Sequence, residues 1–311
     1  MKMKKYYALV LSLILCFTLS QNAFAYDVDS DNQYIYGNAT TLTASEKRAF
    51  AEEVTKQYSE SKALNHYAAE QPYDITQINS LMVEAAFAED QASRDIYLGQ
   101  LEKLGIYQYP TETSDMPTPM SDSGDVSIDK PDIYYSVQEK VWIVANDGRW
   151  RSEEWKYEIP PAGGDVGGPD VFGVGFTNTS GDYNASVVRC FGILRNGWDG
   201  SQERKNDTYN RGDADSSTGF YFELQDSIER VDTTKAALEN TYVGSEWFSS
   251  CTYSEEFADF SGTATGFYAH TWGEAVISGI SLGIDGKTAG LHMTMEMKDY
   301  TFSAYGPDTK F

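Results

Sequence analysis

The chain has 311 residues, with 47 acidic and 24 basic side chains and a formal net charge of −23. So acidic a surface repels phosphate backbones and anionic lipid, which argues against nucleic acid and bare anionic membrane as partners. Cations, neutral polymers and other proteins remain, although acidity also serves plain solubility in an exported protein.

Lys2, Lys4 and Lys5 precede an apolar run from Tyr6 to Leu19, and Ala23-Phe24-Ala25 closes it with the small-residue pattern read by signal peptidase. Residues 1–25 therefore read as a cleavable signal, with the mature chain starting at Tyr26 and secreted to an extracellular site, a periplasm or a cell wall. The run is short of the roughly 20 apolar residues that a retained span needs. Cys16 sits mid-run after Leu15, where a lipid-attachment cysteine would follow a small residue, so no stable membrane anchor is expected. Losing the three lysines takes the net charge to −26.

Residues 26–41 read as an extended segment, and residues 42–109 as a helical hairpin. Thr43-Ala44-Ser45-Glu46 is a capping box with Leu42 placed as its staple, and Phe50, Val54 and Tyr58 recur on one face. A second start lies at Asp74-Ile75-Thr76-Gln77. Ile78, Leu81, Met82, Ala85 and Ala88 follow at helical spacing, and Leu98, Leu101 and Leu104 carry the pattern to a stop at Gly105. Residues 110–131, rich in Pro, Ser, Thr and Asp, read as a flexible linker with too little apolar surface to offset ordering.

From residue 132 to 311 the texture becomes alternation, glycine and aromatics, which predicts a mainly β fold: an antiparallel sandwich or jelly-roll-like domain. Val141 to Ala145 reads as a strand and Asn146-Asp147-Gly148 as a hairpin turn. Phe172, Val174 and Phe176 share a face, as do Phe220, Phe222 and Leu224. Near the C-terminus Ile280, Leu282 and Ile284 face one way, a turn begins at Asp285-Gly286, and Leu291, Met293, Met295 and Met297 supply the matching apolar face.

Without the signal two cysteines remain, Cys190 and Cys251. In an oxidising compartment they are expected to pair, the alternative being two separate buried thiols. Gly279-Ile280-Ser281-Leu282-Gly283 has the letters of a nucleophile elbow, but it runs on into a hairpin strand where a strand-to-helix turn is required. The histidines His66, His270 and His292 are scattered and form no zinc-binding spacing. No cofactor is expected. Calcium is the open possibility, in the 199–219 stretch, where Asp199, Asp207, Asp213 and Asp215 stand among glycines and an ion needing about six to eight oxygens would find several.

Aromatic side chains beside polar ones carry the remaining signal. Trp150, Trp155, Trp198, Tyr268, His270 and Trp272 are the candidate ligand-binding residues, because flat rings next to hydrogen-bonding groups stack on sugars. The competing role is core packing, for which strand tryptophan and tyrosine are equally suited. The reading is an exported non-catalytic protein that binds a glycan or a surface protein. Its rivals are a secreted glycoside hydrolase or other extracellular hydrolase and, third, a toxin or bacteriocin-like protein. Adjacent Glu153 and Glu154 point to opposite sides of any strand and could not flank one glycosidic bond.

Overall fold

Strands that are apolar on both sides must be covered on both sides, and this requirement sets the layering. The computed structural model describes residues 44–64, 73–111, 125–151, 164–181, 184–196, 203–206, 214–215, 217–233, 237–273, 276–285, 288–296 and 301–311. Helices α1 (Ala44–Leu64), α2 (Ile75–Ala86) and α3 (Gln91–Lys103) come first. Strands β1 (Ile106–Gln108), β2 (Val126–Ile128), β3 (Asp132–Ser136), β4 (Val141–Trp150), β5 (Gly164–Asp165) and β6 (Asp170–Gly181) follow. Next are β7 (Val187–Arg195), β8 (Glu203–Asn206), β9 (Ala214–Asp215), β10 (Gly219–Leu224), β11 (Ser227–Thr233), β12 (Ala237–Val243) and β13 (Glu246–Tyr253). After a 3₁₀ turn (Glu255–Asp259) come β14 (Phe260–Thr271), β15 (Val276–Asp285), β16 (Thr288–Glu296) and β17 (Thr301–Lys310).

The fold is mainly β, with antiparallel sheets behind an N-terminal helical region, in a sandwich-like arrangement. One sheet runs β1-β3-β4-β13-β7-β8 with β2 also on β4; the facing sheet runs β17-β14-β6-β10-β9. Trp142, Val144, Leu194, Trp247 and Cys251 of the first meet Phe172, Val174, Phe176, Phe220, Phe222 and Tyr268 of the second in one core. Their strand neighbours Ile143, Ala145, Phe191, Ile193 and Phe248 turn the other way and bury Ile78, Met82, Val83, Leu101 and Leu104 from the helical layer. The outer face of the second sheet, at Val171, Phe267 and Ala269, is met by Ile277 and Ile280 of the β15–β16 hairpin. A bulge between Ile277 and Gly279 shifts the alternation by one residue, which lets both isoleucines pack on the same side.

The paired register of that hairpin, Ile280 with Met293 and Leu282 with Leu291, is the one the alternation predicts. The helices differ from the expected pair. Asp74 caps α2 through Thr76 N at 2.9 Å, as its sequence indicates. The continuous second helix is instead broken at Phe87–Asp90, because the Asp90 carboxylate caps a new helix through Ser93 N at 2.7 Å. Gly105 ends α3 with φ of 77°, a conformation open to glycine, and the chain passes straight into β1, which pairs with β3. The expected linker is sheet structure at its end: Val126 and Ile128 are buried on β4, and Pro131 O accepts from Thr309 Oγ1 at 2.6 Å. Residues 112–124 lie outside the described residues.

The turn expected at Asn146-Asp147-Gly148 is a correction. β4 runs straight through these residues, which pair with Ser249, Phe248 and Trp247 of β13. Their turn-forming chemistry serves other ends. Asn146 Nδ2 donates to Asp129 O at 2.6 Å, and Gly148 leaves room for the Trp247 indole, which would lie 2.2 Å from any Cβ there. The chain reverses earlier, at residues 137–140, where Lys140 takes φ of 55°. Among the described residues no helix is long and apolar enough to cross a membrane.

Helix α1 docks through a buried lysine. Lys47 is 0% exposed, donates to Phe260 O and, at 3.5 Å, to Phe257 O, and lies 5.3 and 5.2 Å from the ring centres of Phe257 and Phe311. These carbonyls close the 3₁₀ turn, where partial negative charge collects. Arg48 pairs with Asp259 alongside. Burial nevertheless pulls the Lys47 pKa down from 10.5 to about 7, with Asp259 opposing. The unfolded chain therefore binds the extra proton between these two values, and stability rises with pH across that window. From pH 7 to about 9.5 the gain should be on the order of 3 kcal/mol, at 1.36 kcal/mol per unit. Urea denaturation at both pH values checks this: Lys47→Met should flatten the slope, and parallel behaviour of variant and wild type would refute it.

Candidate functional site

Alternation along β14 turns Tyr268 and His270 inward, and Trp272 follows just past the strand end. Asp170, the first residue of β6, lies beside them, and Asp226 enters from the bend between β10 and β11. Three separate elements thus deliver two carboxylates and an imidazole to one place, with one ligand-capable atom from each within 4.8 Å of the others. All three residues are 0% exposed.

A hydrogen bond of 2.8 Å joins His270 Nδ1 and Asp170 Oδ1, and Asp226 Oδ2 lies 3.8 Å from the same nitrogen. Tyr268 Oη donates to Asp170 Oδ2 at 2.6 Å, and Tyr242 Oη donates to Asp226 Oδ2 at 2.6 Å. The Thr271 backbone N–H adds a longer contact to Asp170 Oδ1 at 3.4 Å. Gln225 Nε2 braces the bend through Val166 O and Asp226 O, each at 3.1 Å.

Burial raises the Asp226 pKa well above the usual carboxylate range, and the neighbouring Asp170 raises it further; His270 and the Tyr242 hydroxyl oppose. Tyr242 and Tyr268 are likewise pushed up, by burial first, so both remain neutral donors. Aromatic rings seal the group. Trp247 stacks on Tyr268 at 3.9 Å and 9°, Trp150 meets His270 edge-on at 5.2 Å, and Trp272 stacks on His270 at 5.9 Å. The buried Trp150 indole N–H bears on the Tyr268 hydroxyl and tempers its rise. Chemically the arrangement can share protons or hold a cation. With no exposed atom, it offers no direct approach to a bulky substrate.

Of the ring residues singled out in the sequence, Trp150, Tyr268, His270 and Trp272 come together here. Trp150 is 9% exposed and Tyr268 and His270 are fully buried, whereas Trp272 keeps part of its surface at solvent. Trp155, Trp198, Asp199, Asp207, Asp213, Glu153, Glu154 and His66 lie outside the described residues. Asp215 is exposed at the end of β9, where its Oδ1 accepts from Ser217 N at 2.7 Å. Ser281 lies within β15, paired with His292, and no helix follows it there. Cys190 and Cys251 are directly opposed on β7 and β13, both buried toward the sandwich core and both thiols in this structure.

Asp170, Asp226 and Tyr242 are absent from the sequence reading. Asp170 begins β6, Asp226 sits in the bend before β11 and Tyr242 lies near the end of β12, and only tertiary pairing brings them to His270. Comparison of the chain with models of protein families and with curated proteins finds no match.

Tyr242→Phe tests the strength of the network. It removes a hydroxyl donor from a buried carboxylate and should cost about 1–3 kcal/mol. Thermal or urea unfolding at neutral pH measures the loss, and an unchanged stability would show that Asp226 has another donor available.

Proposed function

We propose that the chain is exported and acts as a non-catalytic binding protein, its sandwich meeting a glycan or another surface partner along an aromatic edge. Trp272 carries this reading. It is partly exposed, is stacked on the sealed His270, and lies 6.3 Å from the Phe302 ring. A ring held by the buried His270 imidazole and the partly buried Phe302 ring is fixed before a ligand arrives, so little freedom is lost on stacking. Tyr305, 42% exposed on β17 at the outer edge of the same sheet, adds a second ring on the opposite face. Among the described residues the cluster of acid–base groups at Asp170, Asp226 and His270 is closed to solvent, which favours binding over turnover.

The test uses the mature chain on arrayed glycans and isolated cell walls, beside an assay for released sugar. Trp272→Ala should lower retention roughly tenfold, the loss of one anchoring ring, with the thermal transition kept. Retention without product supports a binding module, and product release supports a hydrolase. Equal retention by wild type and Trp272→Ala removes this ring from the proposal.

An oxidising destination also makes Cys190 and Cys251 a disulfide. Directly opposed residues of an antiparallel pair have Cα atoms about 4.5–5.5 Å apart, inside the bridging range of about 4.4–6.8 Å. Burial and then the adjacent Cys190 raise the Cys251 thiol well above its usual pKa, so an unpaired Cys251 would be a poor nucleophile. Thiol titration of the exported chain, denatured without reductant, should find almost no free sulfhydryl. Reduction should cost roughly 4 kcal/mol on the chain-entropy model. Two reactive thiols per exported chain would rule the bridge out.

A further inference from the structure

We propose that Asp170, Asp226 and His270 form a buried site for a divalent transition-metal ion of the zinc or manganese kind, which joins β6, β14 and the β10–β11 bend. The donor set is one imidazole nitrogen and two carboxylates. That combination suits borderline ions, whereas calcium requires about six to eight oxygens.

Ligands about 2.0–2.2 Å from a tetrahedral centre lie roughly 3.4 Å apart; the separations from His270 Nδ1 to the two carboxylates are 2.8 and 3.8 Å, and all three donor atoms lie within 4.8 Å, so a bound ion would draw the two carboxylates together. The hydroxyls of Tyr268 and Tyr242 donate to the same carboxylates, as the outer partners of ligating carboxylates do. Charge points the same way. Among the described residues no lysine or arginine pairs with Asp170 or Asp226, so two buried carboxyl groups share a single imidazole.

Trp150 closes the cluster from one side: its ring meets His270 edge-on at 5.2 Å, and its buried indole N–H bears on the Tyr268 hydroxyl. Three protein ligands leave one position of a four-coordinate ion for water. Loading requires the ligating imidazole nitrogen and both carboxyl groups to be unprotonated, so protons leave as the ion enters.

The experiment uses the full mature chain, stripped with EDTA, incubated with ZnCl2 or MnCl2 and desalted before elemental analysis. Wild type should retain about one ion per chain, and Asp226→Asn and His270→Gln should each lose it. At saturating ion the melting temperature of stripped wild type should rise by roughly 5 °C or more. Retention by both variants equal to wild type would place the ion elsewhere and overturn the site. Should either variant fail to fold, wild type decides alone: no retained ion and no thermal shift with either metal defeats the proposal.

Discussion

Two-sided burial of the central strands is the constraint on which everything else rests. β13 is buried at every residue from Glu246 to Tyr253, and β4 nearly so. A sheet of this kind cannot leave either face to water without exposing large apolar surface. The second sheet therefore covers Trp142, Trp247 and Cys251, while α2 and α3 cover Ile143, Phe191 and Phe248. The second sheet in turn exposes Val171, Phe267 and Ala269 on its far side, and the β15–β16 hairpin meets them. Each layer creates the apolar face that the next one buries.

Such close layering makes the sealed polar groups expensive unless they are paired. At Asp170, Asp226 and His270 the network is supplied with two phenol donors and an imidazole. The helix-facing side is less complete. Arg94 pairs with Asp132, and Gln108 Nε2 and Tyr134 Oη also donate to that carboxylate, at 2.8 and 3.2 Å. Nearby Asp147 is 5% exposed with its Oδ2 unpartnered, and burial, aided by Asp129 and Asp132, raises its pKa well above the usual range. A proton on Asp147 relieves that charge locally. At the His270 cluster burial acts in the same way on Asp226, with Asp170 adding to the rise and His270 opposing it.

The sequence announced what depends on short-range periodicity. Alternation gave the Ile280-to-Met293 register, the inward face of Phe172, Val174 and Phe176, and the mainly β class. Capping chemistry located the start of α2 at Asp74 and the stop at Gly105. Failures came where one residue type serves two physical roles. Asp90 was a helix cap hidden in a helical run, and Asn146-Asp147-Gly148 had turn letters spent instead on a long strand's side-chain contacts. The site was half legible: Tyr268, His270 and Trp272 share a short segment, whereas Asp170 and Asp226 reach it from 100 and 44 positions away along the chain. Local pattern carries no trace of a pairing at that distance.

The helical layer is held by two kinds of attachment with different consequences. α2 and α3 bury an apolar stripe, and Arg195 closes it by lying over the Phe87 ring at 4.2 Å while bonding Glu246 and Glu84. α1 brings a desolvated ammonium to the Phe257–Phe260 carbonyls and the Phe311 ring. Releasing α2 and α3 exposes hydrocarbon with no compensating solvation. Releasing α1 returns Lys47 to water, which offsets part of the apolar surface exposed at Phe257 and Phe311. α1 also buries Val54 in the sandwich core, with Phe50 against Tyr109 and Trp142, so both attachments carry apolar contacts.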